Sequence, residues 1–206
     1  YTVTVTNAYG QVTSQAATMS LGSFTGAIAS YSATAVTDNN AAVWNTAASY
    51  TITNPSSPVQ NGFGGSFKVA WDNNNLYFLV QVNDPNYTKD SDGIEVYLDG
   101  NNDKSSSYDT TDWQIGLGQS DYSMAIYQNG SKTNPPTFPS YGQFDGSSGY
   151  TQLLSVPWSD LNQTASSGSL VGVDVAVIQG AANGKLLWHA TTNDDWHNPS
   201  LFGTVE

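Results

Sequence analysis

Residues 66–82 read SFKVAWDNNNLYFLVQV, and this stretch decides the fold class. Phe67, Val69 and Trp71 alternate with Ser66, Lys68 and Ala70, and an apolar run follows from Leu76 to Val82. Between them stand four turn formers, Asp72-Asn73-Asn74-Asn75. Aromatic and β-branched residues suit a pleated backbone. Alternation puts every second side chain on one face, and a break this short joins antiparallel neighbours. The spacing predicts a β-hairpin with strands over 66–71 and 76–82.

Outward from this hairpin the pattern repeats. Strands are predicted over 93–98, 113–118, 121–127, 149–156, 171–179 and 186–190, with tight connections at Gln119-Ser120 and over 181–185. VPWSDLNQ (156–163) reads as a strand end followed by a short helical turn, and Trp44 as a core aromatic on a short turn or helix. NPSSPVQNGFGG (54–65) and NPPTFP (134–139) read as loops by their Pro, Gly and Ser content. Strands at short spacing, with no long amphipathic helix, predict an all-β chain folded as an antiparallel, jelly-roll-like β-sandwich. That domain is placed over residues 24–206. Residues 1–22 alternate around Asn7-Ala8-Tyr9-Gly10 and read as a separate hairpin. Two strands make no core of their own, so the hairpin is expected to dock on the main domain or pair with another chain.

Composition narrows the function. The chain has 206 residues, five Lys and Arg together, 17 Asp and Glu, and a formal charge of −12. An acidic surface without Arg repels phosphate backbones, so neither nucleic acid nor an anionic membrane is an expected partner. With no Cys there are no disulfides, thiolate metal sites or cysteine nucleophiles. The apolar runs are too short to span a bilayer. Low charge with abundant Thr, Ser, Asn, Gly and Tyr is typical of bacterial extracellular polysaccharide-degrading proteins, and by that association an extracellular setting is expected.

Four motifs occur in order: VAWDNNNLYFLVQVNDP (69–85), DSDGIEVYLDGNND (90–103), VPWSDL (156–161) and WHNPSLFGTVE (196–206). Together they resemble the family 9 carbohydrate-binding modules often attached to xylanases and other glycoside hydrolases. The hairpin of residues 1–22 similarly resembles the last strands of a bacterial immunoglobulin-like domain. The first resemblance implies a β-sandwich with bound calcium, a polysaccharide or oligosaccharide as ligand and an attached catalytic domain. It implies a pocket that clamps a terminal sugar between two aromatic rings. Such a site has its own physical logic. An aromatic face covers the C–H face of a pyranose, and amides and carboxylates read its hydroxyls.

Carried onto this sequence, the resemblance makes Trp196 one clamp ring. Asn193, Glu95 and Gln114 become the polar readers. The second clamp tryptophan falls at or near Lys89, where there is none, and Tyr87 offers an alternative ring. The arginine expected two positions after Gln114 is Gly116. Strand alternation turns Trp113 away from Gln114 and into the core. Trp71, Trp158 and Trp188 are also read as core, and Tyr97 is left open between core and site.

Asp99-Gly-Asn101-Asn-Asp103 places oxygen donors at positions one, three and five of a loop, as calcium loops do. Lys104 stands where an EF-hand requires glycine, and Asp109 and Asp112 are close enough in sequence to complete a shell. The alternative is a solvated acidic loop. Two His and no Cys argue against zinc.

Three rival functions stand beside this reading. A glycosidase needs two carboxylates roughly 5–9.5 Å apart, whereas Glu95 and Asp99 sit ~13 Å apart along one strand. A haem domain would need axial ligands, for which Met124 and His189 are the only pair. A structural or adhesion module without a ligand is the third.

Overall fold

The computed structural model describes residues 3–14, 24–86, 91–118, 124–133, 140–146 and 148–206. In chain order the strands are β1 (Thr4–Asn7), β2 (Gly10–Thr13), β3 (Ser30–Tyr31), β4 (Tyr50–Ile52), β5 (Asn54–Ser57), β6 (Gly64–Trp71), β7 (Asn75–Asn83) and β8 (Gly93–Asp99). They continue with β9 (Asp112–Gly118), β10 (Met124–Gln128), β11 (Ser131–Lys132), β12 (Ser140–Gly146), β13 (Gly149–Pro157), β14 (Val171–Gln179), β15 (Gly184–Leu187) and β16 (Gly203–Val205). Helical structure among the described residues is confined to short 3-10 turns, one of which carries the buried Trp44.

The hairpin that opened the sequence reading is β6–β7, in register from Gly64↔Asn83 to Trp71↔Leu76. Its turn is held by one side chain. Asp72 Oδ1 accepts from the backbone N–H groups of Asn74 and Asn75, each at 2.7 Å. Asp72 Oδ2 accepts from the Tyr77 hydroxyl at 2.8 Å. This is the local bonding for which Asp is favoured in turns.

Two sheets form the sandwich. One runs β11-β10-β9-β8-β14-β15-β5, with β16 also paired to β14. The other runs β12-β13-β7-β6-β3, with β4 also paired to β6. Apart from β3, which lies parallel to β6, the strand pairs are antiparallel. Alternation fills the space between the sheets: Ile94, Val96 and Leu98 of β8, Trp113, Ile115 and Leu117 of β9, and the valines of β14 pack against Phe67, Phe78, Val80 and Leu154. Trp113 is in this core, and its Nε1 donates to the Asp160 carbonyl at 2.9 Å. Trp158 is buried, while Trp71 and Trp188 are partly buried against the cluster.

The all-β antiparallel sandwich is therefore as predicted, and several details differ. Asn54–Ser57 is a strand, not a loop. It is the outer strand of its sheet, where Pro55 costs no ladder bond that a neighbour needs. β15 begins at Gly184, so Lys185 lies in the sheet and not in the turn before it. β3, β4, β11, β12 and β16 are too short or too polar to stand out by pattern. The sandwich is joined by residue 27, since Ala27 bridges to Val205. The hairpin β1–β2 pairs only with itself among the described residues, and Val3, Val5 and Val12 are exposed.

Candidate functional site

The outward face of β8 carries Glu95 and Tyr97, because Ile94, Val96 and Leu98 are committed to the core. Across the sheet, Gln114 of β9 pairs with Tyr97, and Gly116 pairs with Glu95. On the other side Ala176 of β14 is opposite Glu95, and Lys185 of β15 is one row away, opposite Ile178. Sheet register alone thus brings Glu95, Gln114 and Lys185 onto one rigid surface.

The side chains then lock together. Glu95 accepts from Gln114 Nε2 at 3.0 Å and from the Tyr97 hydroxyl. Lys185 Nζ lies 3.2 Å from Glu95 Oε2 and 3.1 Å from Asp195 Oδ2. It also donates to the Tyr97 oxygen at 2.7 Å and to Asn193 Oδ1 at 3.2 Å. Asp195 is fully buried and Glu95 is 20% exposed at its side chain. Burial pushes the Asp195 carboxyl up, and Lys185 pulls it back. Burial and the Glu95 carboxylate hold the Tyr97 phenol far above its ordinary range, so it stays a donor.

The loop after β15 is positioned by a second buried carboxylate. Asp174 of β14 accepts from the backbone N–H groups of Trp188, His189 and Ala190 at 3.1, 3.0 and 2.7 Å. Burial pushes its carboxyl up, and these donors oppose only part of that rise. The chain then passes Asn193 and closes a 3-10 turn over Asp195–His197. That turn buries Asp195 and presents Trp196, which is 50% exposed and lies 4.4 Å, centroid to centroid, from the His197 ring. Tyr97, Ala176, Leu187, Ala190 and Phe202 form a small cluster beneath.

Of the residues named from sequence, the structure brings Glu95, Gln114 and Asn193 into one network with Lys185, and Asn193 lies on the loop that carries Trp196. Tyr87 and Lys89 lie outside the described residues. Tyr97, left open between core and site, takes part in the network through its hydroxyl while its ring is buried. Lys185, Asp174 and Asp195 were missed. A signal existed for Lys185: cations are so scarce in this chain that one flanked by apolar strand residues invites a buried partner. His189, considered as a haem ligand, bonds through Nδ1 to the Leu201 carbonyl at 2.8 Å and packs on Trp188.

The acidic loop next to β8 is a separate feature. Asp99 accepts from the backbone of Asp103 and Lys104 at 3.2 and 3.0 Å. Asn101 Nδ2 donates to Asp109 Oδ2 at 3.1 Å, and Asp112 Oδ2 accepts from the Asp109 backbone at 2.6 Å. Asp99 and Asp112 are cross-strand partners, and both are fully buried. Among the described residues no three His, Cys, Asp or Glu side chains are arranged to enclose a metal ion. Asp112 Oδ1, however, is buried without a hydrogen-bond partner. Burial, with Asp109, Asp99 and Asp103 nearby, pushes the Asp112 carboxyl up to about 7. Hard oxygen donors with surplus negative charge are the donor chemistry of calcium, and in that respect the residues fit the ion.

A sandwich bearing an exposed tryptophan beside a row of amides and a carboxylate defines a ligand-recognition domain. The chain belongs to the carbohydrate family 9 binding domain-like family, whose model matches residues 36–206. It is 31% identical over 153 residues to endo-1,4-beta-xylanase A of Thermoanaerobacterium saccharolyticum, covering 70% of this chain and 12% of that protein. It is 31% identical over 159 residues to exoglucanase XynX of Acetivibrio thermocellus, covering 70% and 14%. The chain thus spans about an eighth of the length of these relatives. Among solved structures, a family 9 carbohydrate binding module from Caldicellulosiruptor kristjanssonii in complex with cellotriose superposes with a TM-score of 0.74. The two share 23% identity over 87% of this chain and 92% of the other. The same module in complex with glucose gives 0.73.

Proposed function

We propose that this domain binds the neutral sugars of plant-type polysaccharides, cellulose or xylan, without catalysis, and holds an attached glycoside hydrolase at its substrate. The observation that carries this reading is the exposed Trp196 on a loop anchored by Asp174, beside the Glu95–Gln114–Asn193 network. A pyranose face lies on the indole, and its hydroxyls meet Glu95, Gln114 and Asn193. The similarity to a module complexed with cellotriose and glucose supports the ligand class, and the match to part of larger hydrolases supports the attached enzyme. Insoluble substrate of this kind places the domain outside the cell. The exposed hairpin β1–β2 fits the end of a preceding immunoglobulin-like domain. Isothermal titration with glucose, cellobiose, xylobiose and soluble xylan tests the reading. Heat from a short sugar is the expected result; silence from all of them, with no retention on insoluble cellulose or xylan, leaves a structural module.

Calcium, held by Asp99, Asn101, Asp103, Asp109 and Asp112, is proposed as a structural ion. Bound there, it would neutralise the Asp99–Asp112 pair and tie the loop to the end of β8. At a free calcium level 100-fold above Kd, a native-only ligand adds about 2.7 kcal/mol. For a chain of this size that corresponds to roughly 5–10 °C in Tm. A chelator is expected to lower Tm by that order, and Asp112→Asn to make the melt indifferent to chelator. An identical wild-type melt with and without chelator rules the ion out.

A further inference from the structure

Where β7 and β14 begin and β6 and β16 end, the sandwich opens in a cleft of about 180 Å³. Part of its lining is apolar, from Ile28, Trp71, Leu76 and Val171. The rest is polar, from Ser166, Ser167 and Ser169 of the loop before β14 and from Glu206. We propose that this cleft is a second carbohydrate site, separate from the Trp196 loop, that holds one ring of a neutral polysaccharide. The proposal rests on the carbohydrate-binding reading above and goes beyond it. The two places are distinct: the Glu95 network lies on the outward face of its sheet, whereas Val171 of the cleft belongs to the core between the sheets.

Exposed apolar side chains gather at this cleft. Among the described residues of the sandwich, the large apolar side chains left exposed are Phe24, Ile28, Tyr31, Leu170 and Trp196. Trp196 serves the first site, and the other four surround the cleft. Ile28 lines it, and Leu170 stands between the lining residues Ser169 and Val171. Tyr31 packs edge-on against Trp71, 4.8 Å between ring centroids. Phe24 folds back over Gly26, where an added Cβ would lie 2.4 Å from its ring. Apolar residues exposed singly are ordinary, but a gathered patch rimmed by polar side chains marks a contact surface. Its frame is held in place. Gln163 Nε2 donates to the Leu170 carbonyl at 3.1 Å, and the Ser169 N–H donates to the Ser166 carbonyl at 3.1 Å. The Ile28 N–H donates to the Tyr50 hydroxyl at 2.7 Å.

Charge and chemistry select the occupant. The chain carries a formal charge of −12, so a second copy is held off by like charge. Among the described residues that line the cleft, Glu206 alone is ionisable. An anionic ligand finds no counter-charge there, and a cation finds one carboxylate. A neutral ligand with an apolar face and hydroxyls at its edge meets both halves of the lining at once. Its C–H face covers the Trp71–Tyr31 pair and Ile28, and its hydroxyls exchange hydrogen bonds with the serines and Glu206. The volume is that of one monosaccharide unit. Two sites on one rigid domain act together only on a ligand long enough to reach both. Short sugars therefore report the Trp196 site, and insoluble polysaccharide reports the pair.

The test sets depletion isotherms on insoluble cellulose and xylan beside titration with cellobiose and xylobiose. Ile28→Ser combined with Tyr31→Ser removes the apolar ground, and Leu170→Asp places a charge in it. All three positions are exposed, so the fold should survive; circular dichroism and a melt certify each variant, and either folded variant suffices. Each is expected to bind the preferred insoluble polysaccharide about tenfold more weakly or worse, while short-sugar affinity stays within about twofold. In Trp196→Ala, a soluble hexasaccharide of the same polysaccharide should still shift the Trp71 indole N–H resonance. Full retention on polysaccharide in the folded variants, or a Trp71 resonance that does not move, overturns the second site. Loss of short-sugar binding in a folded variant also overturns it, because the patch would then belong to the first site. A wild-type dimer in sedimentation that the Ile28/Tyr31 variant dissolves gives the patch to a second copy and overturns it too. If the wild type binds neither short sugars nor insoluble polysaccharide, the carbohydrate reading itself has failed and takes the second site with it.

Discussion

Trp196→Ala is expected to remove measurable binding of short sugars while the domain melts within a degree or two of the wild type. The two halves of this expectation come from the same geometry. An indole that is half exposed, pairs with the His197 ring and belongs to none of the buried clusters contributes little to the core, and surface substitutions of that kind usually stay within about 0.5 kcal/mol. The same ring is the apolar platform of the site, and an aromatic anchor is worth about 2 kcal/mol or more when truncated. That is at least a thirtyfold loss, enough to erase the heat signal of a weak monosaccharide. Trp196→Phe should keep part of the affinity, since a smaller ring still covers part of the sugar face. Titration alongside thermal melts separates the outcomes. Undiminished affinity in Trp196→Ala would move the site elsewhere on the sheet, and a collapse in Tm would make Trp196 a packing residue.

The fold was legible in the sequence because its central strands are fully committed. In β6, β7, β8, β9 and β14 the apolar positions fill a shared core, and alternation or continuity survives in the text. The same alternation was enough to turn Trp113 inward and Gln114 outward. The strands that escaped notice share a physical cause. β5 carries a proline, β3 and β16 are two and three residues long, and each is recruited by a neighbour's free edge, not by its own pattern.

The site was half legible. Trp196 among polar neighbours, and a solitary internal Glu95, were unusual enough to be noticed. The side chains that hold them were not, because their roles depend on distance in space. Asp174 lies 14 residues from the start of the loop backbone it holds and looks like one more acid in an acidic chain. Lys185 was placed in a turn because β15 was started too late. Its partners come from two separate segments, Glu95 and Tyr97 on β8 and Asn193 and Asp195 on the later loop, and no local pattern joins them. The cleft beside Trp71 is harder still to read, since segments distant in the sequence meet to line it.

Lys185→Met is expected to have the largest effect on stability of any substitution in the site. The methionine keeps the apolar stem and removes the charge. Asp195, fully buried, and Glu95, mostly buried, would then face each other without a cation. Breaking a buried pair by deleting one partner costs about 3–5 kcal/mol, on the order of 10 °C for a chain of this size. The sign with pH follows from Asp195. Burial already raises its carboxyl, and Lys185 is what opposes that rise. Without the lysine the folded-state value climbs further. A raised carboxyl contributes its stability below the unfolded value near 4 and loses it as pH increases through the folded value. The deficit of Lys185→Met relative to the wild type should therefore be large at pH 7.5 and shrink towards pH 4. Urea denaturation at the two pH values measures it. Adding Asp195→Asn and Glu95→Gln to Lys185→Met should restore most of the stability, because no buried charge is left unpaired. It should not restore sugar binding, because the carboxylate that receives the sugar hydroxyl is gone. A deficit of equal size at both pH values would mean that Lys185 acts through packing alone, and recovered binding in the triple variant would show that Glu95 has no part in recognising the sugar.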